Sequence, residues 1–126
     1  MRTAALALLL AATPALALDV PSGQPVSLQE VLVDSVGPQT WLRFRLIAPA
    51  IARETGEIDY QTAARDMMHL CQELALPYIG EHDLTGDVIV ISLADRETEF
   101  GVADPEVTQF FEAFHIENDL CIWESL

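Results

Sequence analysis

Alternating apolar and polar positions predict two strands near the start of the chain. They cover residues 26–34 and 41–48, and the turn signal Gly37-Pro38 separates them. The second strand alternates strictly enough for its two faces to be assigned. Its apolar face carries Leu42, Phe44 and Leu46, and its polar face carries Trp41, Arg43 and Arg45.

A helical period follows over residues 59–76. Its apolar side chains fall on one stripe, which consists of Tyr60, Ala64, Met67, Cys71 and Leu74. Cys71 lies near the middle of this stripe, so we expect it in the core, whereas His69 lies almost opposite. Pro77 is expected to end the helix.

The second half of the chain predicts three more strands and a second helix. Residues 88–93 form a continuous apolar run, typical of a strand covered on both faces. The acidic segment 95–100 is expected to be a short strand, with a loop as the alternative. Asp104 and Pro105 are typical of a helix start, and an apolar stripe follows at Val107, Phe110, Phe111 and Phe114. Residues 120–124 read as the last strand.

From the second strand onward this order is β-α-β-β-α-β, with one extra strand before it. The order favours an α+β fold, a ferredoxin-like sandwich with helices on one face of an antiparallel sheet. We assign residues 26–126 to this single domain.

The first residues have the features of a secretory signal peptide, predicted over 1–17. Arg2 precedes an uncharged apolar run, and Ala15-Leu16-Ala17 offers a small-x-small cleavage site. A membrane anchor is the alternative, but the run is shorter than the roughly 20 residues that a span needs. We therefore expect a periplasmic or secreted protein with no membrane span after cleavage, and a flexible leader over residues 18–25.

An exported location changes how the two cysteines are interpreted. Cys71 and Cys121 are the only cysteines of the chain, and two lone cysteines in an oxidising compartment most often pair. We predict one disulfide between them. A metal or redox pair is the alternative, although the close C-x-x-C spacing is missing.

The charge balance excludes one class of partner. The chain has 20 acidic and 6 basic residues and a net charge of -14. Nucleic acid binding needs clustered Lys and Arg, so we expect no nucleic acid partner. An unknown periplasmic protein or a basic ligand suits this charge better.

Two groups of side chains are candidate sites. Asp95, Glu97 and Glu99 would share one face of a strand and could hold a hard cation such as calcium; the alternative is a charged edge strand that discourages aggregation. The polar face with Trp41, Arg43 and Arg45 could dock a carboxylate or an extended peptide. Its alternative is cross-strand pairing with Glu30 or Asp34 plus stacking on Trp41.

Three segments together resemble a family of small secreted bacterial proteins of unknown function: 66–71 (DMMHLC), 87–96 (DVIVISLADR) and 121–124 (CIWE). The resemblance covers the mature chain and implies a signal peptide and a paired-cysteine domain, but no catalytic residue or ligand. Some similar sequences are labelled acetolactate synthase. The chain argues against that label because it lacks a thiamine-diphosphate motif and is far too short for the catalytic subunit.

We therefore expect an exported acidic binding or accessory protein without catalysis and without a cofactor. The second hypothesis is a binder of divalent cations through the carboxylates of 95–99. The third is a small periplasmic hydrolase, for which no nucleophile motif such as G-x-S-x-G is present.

Overall fold

The structure, a computed structural model, describes residues 17–125. The predicted signal peptide therefore lies outside the described residues, except for Ala17. In the described part, no helix is both long and apolar enough to cross a membrane.

Five strands form one mixed sheet in the order β1-β2-β3-β4-β5. The strands are β1 (Ser27–Val36), β2 (Gln39–Ile47), β3 (Val88–Ala94), β4 (Gln109–Glu117) and β5 (Leu120–Glu124). Only β2 and β3 run parallel, and the helix of the fold connects them. The other neighbours pair antiparallel. The prediction of an α+β fold is therefore confirmed.

The predicted second helix and the ferredoxin-like order are wrong. Residues 109–117 form β4, because β3 has a second edge whose backbone N–H and C=O groups need partners. Phe110 and Phe114 then face the helix, while Phe111 points to the opposite face and is 54% exposed. Over so short a segment, four apolar residues at 107, 110, 111 and 114 are compatible with the period of a helix and with that of a strand. Segment 95–100 forms a loop rather than a strand.

The helix starts where the sequence predicts and continues past Pro77. It consists of α1 (Tyr60–Leu70), a π-helical segment (Cys71–Ala75) and α2 (Leu76–Glu81). The Asp59 side chain accepts a hydrogen bond from the Thr62 backbone N–H at 2.9 Å and caps the first turn. The Leu76 N–H donates to the Cys71 carbonyl, five residues back. This wider turn directly precedes Pro77, whose ring would otherwise clash with the preceding turn, so the prediction that Pro77 ends the helix is wrong.

The core lies between this helix and one face of the sheet. The sheet contributes the apolar face of β2 and alternate residues of β3; the helix contributes Met67, Leu70, Cys71 and Ala75. All seven residues of β3 are buried, as its continuous apolar run predicts. Tyr60, at the edge of the predicted stripe, is 42% exposed.

The predicted disulfide is confirmed: Cys71 and Cys121 are bonded and join the helix to β5. Next to it, the Gln72 side chain makes two hydrogen bonds to the β4–β5 hairpin. Its amide donates to the Asp119 carbonyl at 2.8 Å, and its oxygen accepts from the Cys121 N–H at 3.1 Å. The helix therefore holds the last hairpin by covalent and polar contacts side by side.

The segment 18–25, expected to be a flexible leader, packs against the helix in this structure. Asp66 is fully buried (0% exposed), and its carboxylate accepts three hydrogen bonds from this segment. The donors are the Ser22 N–H at 2.9 Å, the Ser22 hydroxyl at 2.6 Å and the Gln24 amide at 2.7 Å. These contacts place Val20 and Val26 at the border of the core.

Candidate functional site

The face of the sheet that the helix leaves uncovered carries a pocket. The connection between β3 and β4, residues 95–108, passes over this face and brings loop residues 98–103 next to β2, β3 and β4. Between loop and sheet lies a cavity of about 300 Å³. We call it the open-face pocket, and its polar side chains are Arg43, Arg45, Ser92, Thr98, Glu99 and Gln109.

Of the two arginines, Arg45 has a structural role. It is 6% exposed and donates from Nη1 to the Glu30 carboxylate on the neighbouring strand. Its Nη2 donates to the Thr98 carbonyl and, at 2.8 Å, to the Thr98 hydroxyl. Arg45 thus fixes the loop to the sheet, and little of its hydrogen-bonding capacity remains for a ligand.

Arg43 is held in place, but its guanidinium does not use all of its hydrogen-bond donors. Its Nε donates to Asp34 on β1 at 2.9 Å, and its guanidinium lies 5.1 Å from the Trp41 ring and 5.2 Å from the Phe100 ring. The cross-strand pairing and the stacking that the sequence offered as an alternative are therefore present. Within residues 17–125, however, both terminal nitrogens of Arg43 lack a hydrogen-bond acceptor, so they can bind a ligand at this pocket.

A tight turn builds the outer wall of the pocket. The Val102 N–H donates to the Glu99 carbonyl at 3.2 Å, and Gly101 has a φ of 83°. A positive φ at the third position of such a turn favours glycine. The turn presents Phe100, whose ring lies against the guanidinium groups of both Arg43 and Arg45.

Ser92 lies on the sheet floor of the pocket. It is only 5% exposed. Its hydroxyl forms no hydrogen bond with any residue that the structure describes. Gln109 on β4 also contributes an amide that has no side-chain partner among those residues. Val90 and Phe111 supply apolar floor and wall beside these groups. The pocket therefore combines unused hydrogen-bond donors with apolar surface, as small-molecule sites commonly do.

The structure separates the three carboxylates that the sequence offered as a cation site. Asp95 is buried and accepts from Arg96 Nε at 2.7 Å and from the Thr108 N–H at 3.2 Å. The hydrogen bond from the Arg96 side chain, with that from the Thr108 backbone, holds the pKa of Asp95 below its ordinary value despite burial. Glu97 and Glu99 lie in the exposed loop. Over residues 17–125, no group of three His, Cys, Asp or Glu side chains is arranged to hold a metal ion.

The two cysteines and two of the three histidines are engaged in contacts elsewhere. Both cysteines are in the disulfide. His82 stacks on Tyr78, and its Nδ1 lies 3.0 Å from the Tyr78 carbonyl. His115 contacts Glu117 at 2.5 Å on the last hairpin, away from the open-face pocket.

A smaller apolar hollow lies on the other side of the sheet, between the helix and β5. Ala64, Arg65, Met68, Phe114 and Trp123 line this space of about 260 Å³, and Trp123 is 62% exposed. The indole N–H of Trp123 donates to Glu112. The hollow has few polar groups that could orient a ligand.

The family of the chain follows from its sequence over nearly its full length. Residues 3–126 match the model of a family of unknown function, DUF6497. The chain belongs to the DUF6497 family. That description names no enzyme activity, and neither a curated protein nor a solved structure matches the chain.

For this DUF6497 member, sequence reasoning identified Arg43 and its neighbours but not the pocket they line. The continuous apolar run 88–93 contains Ser92 only as a strand residue, and the segment 95–100 is expected from the sequence to be a strand, with a loop as the alternative. Gly101 was the available signal, since a glycine directly after the acidic segment 95–100 indicates a turn.

Proposed function

We propose that this protein is an exported, non-catalytic binding protein that captures a small carboxylate-bearing molecule in the open-face pocket. The observation that carries the proposal is the state of Arg43. Its Nε donates to Asp34 and its guanidinium lies against the rings of Trp41 and Phe100, while its two terminal nitrogens have no acceptor among residues 17–125.

A carboxylate matches this arrangement in geometry and in hydrogen bonding. The two terminal nitrogens of a guanidinium can donate in parallel to the two oxygens of a carboxylate. Because the side chain is already oriented, little rotamer freedom is lost when a ligand binds. The Ser92 hydroxyl and the Gln109 amide supply further donors at the same pocket.

Export and the lack of catalysis belong to the proposal as well. The sequence features of residues 1–17 support export, and the disulfide is consistent with an oxidising compartment. The disulfide also occupies both thiols, so neither is available as a nucleophile. We therefore expect bound ligand to be released unchanged, and incubation with carboxylic esters and amides to give no turnover.

Calorimetry and NMR chemical-shift mapping on the protein expressed from the full chain test the binding site. The probes are leucine and its deaminated analogue 4-methylpentanoate. Shift changes should map to β2, β3 and loop 98–103, and R43Q should weaken binding about tenfold or more, since a hydrogen bond to a charged group contributes about 1.5–3 kcal/mol.

R65Q is the matched control, because Arg65 is an exposed arginine on the helix side of the sheet. A103W is a second variant: Ala103 is exposed and lines the pocket, so its replacement should block the cavity without touching a donor. The proposal fails if neither these probes nor their aromatic counterparts, phenylalanine and 3-phenylpropanoate, bind, or if R43Q and R65Q have equal effects.

A further inference from the structure

We infer that the ligand of the open-face pocket is a zwitterion, a free α-amino acid with a small apolar side chain whose ammonium group binds Glu99. This inference rests on the proposed function and adds the second pole of the ligand. The structure supports it through the charges, the apolar surface and the size of the pocket.

Among the charged side chains around the pocket, one carboxylate forms no ion pair within the described residues. Arg43 pairs with Asp34, and Arg45 pairs with Glu30, so these four side chains neutralise one another. Glu99 also lines the pocket, is exposed, and forms no ion pair with any residue in the described range 17–125. The pocket therefore offers unused donors on its floor and one unused negative charge at its mouth.

This combination disfavours a simple anion. A monocarboxylate would satisfy the donors of Arg43 and Ser92 but would lie close to the uncompensated charge of Glu99. It would also approach a chain with a net charge of -14, whose field repels anions. A zwitterion has no net charge to be repelled, and its ammonium group pairs with the carboxylate that the anion would meet.

The apolar surface and the volume limit the rest of the ligand. Val90, Phe111 and Val102 line the cavity beside the donors, so an aliphatic or aromatic side chain can be buried there. A volume of about 300 Å³ lies at the lower end of the range for small-molecule sites. A single amino acid fits this size better than an extended peptide does.

Two sets of three matched ligands test the inference in low-salt buffer, where surface charges are least screened. One set is leucine, 4-methylpentanoate, which lacks the amine, and 3-methylbutylamine, which lacks the carboxylate. The other is phenylalanine, 3-phenylpropanoate and 2-phenylethylamine. In at least one set we expect the amino acid to bind about 1.5- to 5-fold more tightly than its deaminated analogue, the effect of one exposed ion pair.

Two variants assign that preference to Glu99. E99Q should lower the affinity for the amino acid and leave that for the deaminated acid unchanged or raised. E97Q is the matched control, because Glu97 is an exposed glutamate of the same loop that does not line the pocket. It should change neither affinity.

The outcomes separate this inference from the proposed function. If the deaminated acid binds as tightly as the amino acid and R43Q weakens both, the carboxylate site stands and the zwitterion is refuted. If E99Q and E97Q act alike, the role of Glu99 is refuted. If no ligand of either set binds, both proposals fall.

Discussion

Asp66 connects the segment 18–25 to the folded domain, and its replacement should show how much this contact contributes to stability. The carboxylate is fully buried on the helix and accepts from the Ser22 N–H, the Ser22 hydroxyl and the Gln24 amide. D66A removes every acceptor oxygen and leaves three donors without a partner.

The cost follows from what these donors can do afterwards. A buried donor left without a partner costs about 1–3 kcal/mol. Ser22 is only half-buried and can regain water, whereas Gln24 is 6% exposed and cannot do so without movement of the chain. We therefore expect D66A to lower the free energy of unfolding by about 2–4 kcal/mol, with Tm falling by about 10–25 °C.

D66N should cost clearly less, because the unpaired Gln24 oxygen offers a replacement contact. Gln24 Oε1 is buried and has no hydrogen-bond partner among the described residues. If the Gln24 amide turns over, this oxygen can accept from the new Asn side chain, whose own oxygen still accepts from Ser22. We expect about half the loss of D66A.

Urea denaturation with hydrogen exchange over residues 18–26 measures both effects. Faster exchange of this segment in D66A would locate the damage at the contact. E73A is the control, since Glu73 is an exposed carboxylate of the same helix and should change stability by less than about 0.5 kcal/mol. A loss in D66A no larger than in E73A, or equal losses in D66A and D66N, would refute the reasoning.

Three further predictions concern the disulfide, a close contact and pH. Reduction of the Cys71–Cys121 bond opens a loop of 50 residues, so the denaturation midpoint should fall by the equivalent of about 4 kcal/mol; a change below about 1 kcal/mol would contradict this. G86A would place a Cβ 2.7 Å from Leu42 Cγ in the core and should cost about 1–3 kcal/mol, partly recovered in the G86A/L42V double variant; no loss in G86A would show that Leu42 moves freely. The pKa of Asp95 lies below its ordinary 3.8 in the folded state, chiefly through the Arg96 side chain. Its contribution to stability should therefore be complete above that pH and disappear as pH falls through the folded-state pKa; acid titrations of wild type and D95N with equal slopes would contradict it.

The candidate site was only partly predictable from the sequence. Strict alternation in β2 was enough to place Trp41, Arg43 and Arg45 together on one face, and to suggest the pairing with Glu30 and Asp34. Which of the arginines keeps free nitrogens depends on Thr98, and Thr98 reaches Arg45 only because loop 95–108 crosses the sheet. A contact between residues 53 positions apart leaves no trace in a local pattern.

The sequence by itself determined those features that depend on local chemistry. The periods of β1, β2, β3 and the helix start at Asp59 depend on side chains within one segment, and the cysteine pairing depends on there being only two cysteines. The tertiary structure decided the rest. Residues 109–117 became a strand because β3 needed a second hydrogen-bonded neighbour, and 18–25 packed down because Asp66 needed donors. In each of these two cases a backbone or side-chain group that could not be left unpaired in the interior selected among conformations that the local pattern allowed.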